Sequence, residues 1–295
     1  MSVNSLTPHR RVCLSLLLFV ILLTVCGALA RLFALPVPYV DIALCSLLPA
    51  GSVLALYVWR KKPDVKAFFR LTPVSLREAA LWFFFGICAN CAGALINVPL
   101  NLFWSYFIDT APGVPAPQSF GEYLLGILCA AAVPALCEEL LCRGLVLREY
   151  ERYGRRFAII ASAAAFALLH NSMQNLVFTL LLGLVLALIV TRTGSVYPAM
   201  IFHFAVNFFS LTMSYVSQSL IAPHMQPAFS LALNLLYLCM ALTFVFSFLL
   251  FLKNTHPPQA SDIDGESARP KLGFSVSLIL LICWFVFSQV RLFLT

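Results

Sequence analysis

The stretch Gly121-Glu-Tyr-Leu-Leu-Gly-Ile-Leu-Cys-Ala-Ala-Ala-Val-Pro-Ala-Leu-Cys-Glu-Glu-Leu-Leu-Cys-Arg-Gly-Leu-Val-Leu147 decides how this chain folds. It is apolar for longer than the ~20 residues that carry a helix across a bilayer. Near its middle it holds Glu138, Glu139 and Arg143. Eight further apolar runs flank it, near 12–34, 38–59, 79–107, 157–171, 174–191, 197–217, 228–252 and 273–293. The expected fold is all-α, a polytopic transmembrane bundle of about 8–9 helices.

Composition supports this. Of 295 residues, 61% are hydrophobic and 11% charged, against ~45–50% and ~25% in soluble domains. A soluble domain, a disordered chain, a coiled coil and a disulfide scaffold are excluded on those grounds. The net charge of +7 points to topology, not to nucleic acid. Sixteen of the nineteen cations fall on one side of nine alternating spans: Arg10, Arg11, Arg60, Lys61, Lys62, Lys66, Arg70, Arg77, Arg148, Arg152, Arg155, Arg156, Arg192, Lys253, Arg269 and Lys271. Arg31 and Arg291 fall on the other, and Arg143 lies within a span. The positive-inside rule then puts the N-terminus in the cytoplasm. Arg10, Arg11 and Ala28-Leu-Ala30 also fit a signal peptide, but the first run exceeds the usual ~7–15-residue apolar region, so an uncleaved anchor is expected.

Two helix starts carry capping boxes, Ser75-Leu-Arg-Glu78 and Ser119-Phe-Gly-Glu122. Pro112, Pro115 and Pro117 mark a loop, and Asn254–Lys271 a polar linker to a peripheral last span. The fifth and sixth runs are short and joined at His170–Asn175, as a hairpin that does not fully cross. The ten cysteines lie in apolar stretches and read as packing residues, Cys88-Ala-Asn-Cys91 included.

The informative residues are polar ones at membrane depth. A charge at mid-bilayer costs ~2.5–3.5 kcal/mol, so Glu138, Glu139 and Arg143 unpaired cost on the order of 8–10 kcal/mol. Glu139 and Arg143, at i and i+4, share a face and can pair. Glu138 is turned ~100° away and has no cation on its own helix. Pro134, four residues earlier, removes one backbone hydrogen bond. His170 ends the fifth run, and His203 with Asn207 forms another i, i+4 pair in the seventh. Interhelical glue is the bland reading of such groups. A carboxylate, two imidazoles and a carboxamide on three spans favour a functional site.

Together these residues resemble the family of type II CAAX prenyl endopeptidases and bacteriocin-processing intramembrane proteases (CPBP or Abi proteins). Its EExxxR, FxxxH and HxxxN motifs read here as Glu138-Glu139-Leu-Leu-Cys-Arg143, Phe166-Ala-Leu-Leu-His170 and His203-Phe-Ala-Val-Asn207. The likeness covers about 119–210. It divides the chain into N-terminal helices (1–118), a catalytic core (119–210) and C-terminal helices (211–295). The resemblance implies an intramembrane endopeptidase acting on membrane-associated, prenylated or leader-type peptides. Glu138 is then the general base on a water, and His170 positions that water. His203 and Asn207 donate to the oxyanion, and Glu139 with Arg143 is a structural ion pair. A metal-free glutamic mechanism with no cofactor is expected. The alternative is a metalloprotease whose zinc ligands are Glu138, His170 and His203. No HExxH helix is present.

Other protease chemistries fit poorly. Asp41 is the lone aspartate well inside a run and reads as a helix-start residue at the outer interface. Ser52 and Ser195 lie near span ends without a matching histidine. His9, His224 and His256 are expected to be solvated in tails or loops, and Trp59 and Trp104 to anchor at interfaces. The competing class is a non-proteolytic membrane protein, a transporter or an immunity or scaffolding factor, since intramembrane Glu, His and Arg also build proton relays. Expected partners are a peptide or membrane-protein substrate and the lipid bilayer, with no nucleic acid. The expected location is a bacterial inner membrane, or the endoplasmic reticulum in a eukaryote.

Overall fold

A computed structural model describes residues 7–33, 37–107, 114–256 and 276–294. Among them the chain forms ten helices and no strand. The nine apolar runs become α1 (Pro8–Phe33), α2 (Val40–Lys61), α4 (Leu76–Trp104), α5 (Phe120–Tyr153), α6 (Arg155–Leu169), α7 (Leu176–Thr193), α8 (Tyr197–Leu220), α9 (Pro223–Asn254) and α10 (Val276–Leu294). A single turn, α3 (Val65–Phe68), lies between α2 and α4. Pro112 and most of the Asn254–Lys271 linker lie outside the described residues.

Among the described residues, seven helices are long and apolar enough to cross a membrane, which makes this a multi-pass integral membrane protein. One of the expected runs falls short of that length, as its brevity in the sequence suggested. α6 has 15 residues, which rise about 22 Å against a hydrocarbon core of ~30 Å.

The helix starts follow the local chemistry. Ser75 Oγ accepts from Glu78 N at 3.3 Å, and the Glu78 carboxylate accepts from Ser75 N at 2.8 Å, a complete capping box. At α5, Ser119 Oγ accepts from Glu122 N at 3.2 Å, but the Glu122 carboxylate accepts instead from Gln118 N at 2.9 Å. Half of the second box is therefore shifted by one residue. α7 stops at Gly194, whose φ of 69° is left-handed, a conformation glycine takes without steric cost.

α5 runs through the centre of the bundle, with Leu141, Leu145, Val146 and Leu147 fully buried. It is not a plain α-helix. Two π-helical stretches, Ile127–Ala132 and Leu140–Leu147, flank a short α stretch, Val133–Glu139. Pro134 has no N–H to donate, and just before it the turn widens, with Val133 N donating five residues back to Leu128 O. Such wide turns cluster at functional sites.

The helix ends gather into two layers. At one, Arg11 at the start of α1 pairs with Glu149 near the end of α5 at 2.6 Å, and Tyr57 at the end of α2 also donates to Glu149. Arg70, in the α2–α4 connection, pairs with Glu151 at 2.7 Å. Ser195 Oγ, between α7 and α8, donates to Thr72 O at 2.6 Å, and Arg192 donates to Leu252 O at the end of α9. These are the ends that carry the cations expected on one side, apart from Arg269 and Lys271, which lie outside the described residues. At the opposite layer, Tyr39 donates to Pro115 O at 2.9 Å and Ser219 to Pro117 O at 2.7 Å. Tyr123 there stacks on Tyr215.

Small residues bring the inner helices close. A Cβ on Gly86 of α4 would lie 2.4 Å from Phe202 O of α8, and one on Gly183 of α7 would lie 2.9 Å from Ala163 Cα of α6. Backbone approach of this kind is how helices associate inside lipid.

Two expectations change. His9 is buried, not solvated: Tyr150 OH lies 3.1 Å from its Nδ1. The last span is less peripheral than expected. α10 packs on α1, and its buried Gln289 reaches the α6–α7 loop. The ten cysteines are free thiols, with Cys88 and Cys91 fully buried.

Candidate active site

Glu138 and Glu139 leave α5 in different directions, and each meets a different histidine. Glu139 is 0% exposed at its side chain. Its Oε1 accepts from Arg143 at 2.8 Å and from His203 Nδ1 of α8 at 3.0 Å. Arg143 is held in turn from two sides. It donates to Gly183 O of α7 at 3.1 Å, and its guanidinium lies 4.3 Å above the Phe166 ring. A guanidinium over an aromatic face is attracted by the ring quadrupole.

The Glu138 side chain is 26% exposed and the His170 side chain 30%. His170 Nε2 stands 3.6 Å from Glu138 Oε2, longer than a direct hydrogen bond and a span suited to a bridging water. The opposite ring nitrogen, Nδ1, donates to Phe166 O at 2.8 Å. That bond makes Nδ1 a donor and turns Nε2 toward Glu138. Glu138 Oε2 is itself buried with no hydrogen-bond partner.

Phe166 ties the two halves together. Its ring centroid is 4.4 Å from that of His170 and 5.5 Å from that of His203, and its face carries Arg143. The FxxxH spacing marked the His170 contact; the Arg143 and His203 contacts had no local signal.

Two cavities meet here. One, of about 310 Å³, is mostly apolar and bounded by α1, α2, α5 and α6; Glu138 and His170 stand on its wall with Phe19, Ile42 and Leu141. Asp41, exposed in the first turn of α2, is at its rim. The other, of about 470 Å³, is polar and bounded by α4, α7, α8 and α9. His203 and Asn207 are on its wall, and so is His170. The geometry thus groups Glu138 with His170, and Glu139 with Arg143 and His203. Asn207 shares only the second cavity with the histidines.

Residues 120–209 match the family model for Rce1-like type II CAAX prenyl endopeptidases. This segment is a domain of that family. No curated protein and no solved structure matches the chain. The family domain begins with α5 and ends within α8, so it contains Glu138, Glu139, Arg143, Phe166, His170, His203 and Asn207. It excludes α1, α2 and α4, which complete both cavities.

The zinc set does not converge. A catalytic zinc takes three protein ligands, whereas among the described residues no three His, Cys, Asp or Glu side chains stand together to hold a metal ion. His203 Nδ1 is engaged by Glu139. Ser195 is tied to Thr72 O at 2.6 Å.

Asn171 and Asn175 have partners instead of a catalytic place. Asn171, left-handed at φ 49°, accepts at Oδ1 from Gln289 Nε2 at 2.9 Å, and its carbonyl accepts from the same nitrogen at 3.2 Å. Gln289 Oε1 accepts from Met173 N at 3.0 Å. Asn175 Oδ1 accepts from Asn97 at 3.3 Å.

Proposed function

We propose that the protein is an intramembrane endopeptidase that hydrolyses membrane-associated peptides, prenylated or leader-type, with Glu138 as general base. The observation that carries this is the Glu138–His170 pair at 3.6 Å, placed where two cavities meet inside a CAAX endopeptidase-like domain. A water between them donates one O–H to Glu138 and is oriented by His170 Nε2, whose lone pair is free because Nδ1 holds the proton. As the water oxygen attacks the scissile carbonyl carbon, its proton passes to Glu138 and the carbonyl electron pair moves onto oxygen. His203 donates from Nε2 to that oxyanion, and Asn207 donates from its amide. Glu139 accepts from His203 Nδ1 and so orients that ring. The intermediate collapses as the C–N bond breaks and Glu138 returns its proton to the leaving nitrogen. Arg143 holds Glu139 in place.

The test is direct. Purified protein in detergent is offered two quenched peptides, one ending in a farnesylated cysteine motif and one of unprenylated leader type. Wild type should cleave at least one, and Glu138→Ala should cleave neither. Cleavage by neither enzyme, or by both alike, contradicts the reading.

A further inference from the structure

The polar cavity has a feature that hydrolysis alone does not require. α4 turns one face into it through Asn90, Ala94, Asn97 and Asn101, spaced four, three and four residues apart, one helical stripe. Asn175 and Asn207 face the stripe from α7 and α8. Among the described residues, the cavity wall carries no Asp, Glu, Lys or Arg. Asn90 to Asn101 rises about 16 Å along the helix. That matches about five residues of extended chain at ~3.3 Å each.

An intramembrane protease must hold its substrate unwound, and each unpaired backbone N–H or C=O is costly away from water. Asparagine offers both a donor pair and an acceptor, the complement of a peptide unit. One such group is already vacant. Asn97 donates to Asn175 Oδ1 at 3.3 Å, yet its own Oδ1 is buried with no partner. A buried acceptor without a donor is destabilising until a ligand N–H reaches it.

We infer that the asparagine face of α4 is a subsite for about five residues of extended substrate main chain. It runs from His203 and Asn207 toward the cation-poor end of the bundle, and Asn97 Oδ1 accepts one substrate N–H. This rests on the endopeptidase reading. It adds that this site recognises backbone amides, not a charged side chain, on that side of the scissile bond.

The experiment uses a cleaved quenched peptide and a series in which one amide at a time, away from the scissile bond, is replaced by an ester. An ester removes one N–H and little else. For wild type, one position should raise KM roughly five- to tenfold, the size of one lost buried hydrogen bond, with kcat within about twofold. Asn97→Leu should show the higher KM with the all-amide peptide and no further penalty with that ester. Asn101→Leu, nearer the helix end, should shift the sensitive position or lower its penalty. Equal KM for every ester in wild type overturns the inference and leaves the endopeptidase reading standing. So does an Asn97→Leu enzyme with reduced kcat and unchanged KM, the result expected of a water path. If wild type cleaves no peptide, the endopeptidase reading fails and the subsite fails with it.

Discussion

Glu139 is fully buried and accepts from an arginine and a histidine, with the arginine fixed further by a carbonyl and an aromatic ring. Glu138, one residue earlier on the same helix, stands on a cavity wall with a histidine 3.6 Å away. The two side chains are chemically identical. What separates them is the ~100° between successive residues on a helix, which points one into the α5–α7–α8 interior and the other to a cavity wall. On the proposed mechanism, Glu139 holds structure and Glu138 meets the reactant. Each carboxylate keeps a buried Oε2 without a hydrogen-bond partner, so they differ in the pair of contacts from Arg143 and His203 on Glu139 Oε1.

The largest effect that sharpens this contrast is on stability. Removing one partner of a buried ion pair leaves an uncompensated charge and costs about 3–5 kcal/mol. Arg143→Met should therefore lower the unfolding free energy in detergent by that order, as measured by chemical denaturation. A loss below about 1 kcal/mol would show that the interior pair does not hold the bundle. A smaller effect falls on the Glu138 side. His170 ends α6, and the loop after it is clamped by Gln289 through Asn171 and Met173. Gln289→Leu removes these bonds and should cost about 1–3 kcal/mol locally. Amide exchange should rise in residues 170–175, and kcat should fall several-fold while exchange near Arg143 stays unchanged. Unchanged exchange in that loop would break the link between α10 and His170.

Much of this was legible in the chain. The apolar runs marked nine helices because lipid demands continuous hydrophobicity. Run length alone did not say which fall short, and α6 does. The Glu139–Arg143 pair followed from i, i+4 spacing. That His203 would choose Glu139 did not, because the choice depends on how α8 packs against α5, a long-range matter set in part by Gly86. Pro134 hinted at irregularity in α5, but not at two π-helical stretches. Asn90, Asn97 and Asn101 carried a readable stripe on α4, outside the stretch that resembled the family. Gln289 had no signal at all, since its partners lie more than a hundred residues away.

The most direct test of the account compares Glu138→Gln with Glu139→Gln on the same peptide, reading cleavage rate and unfolding temperature together. Glutamine keeps shape and removes the proton acceptor. Glu138→Gln should lose at least about a hundredfold in rate, the scale of general-base catalysis, with its unfolding temperature within a degree or two of wild type. Glu139→Gln should unfold several degrees earlier. A Glu138→Gln enzyme that cleaves at the wild-type rate, or one that fails only because it unfolds, would contradict the assignment of Glu138 as the base.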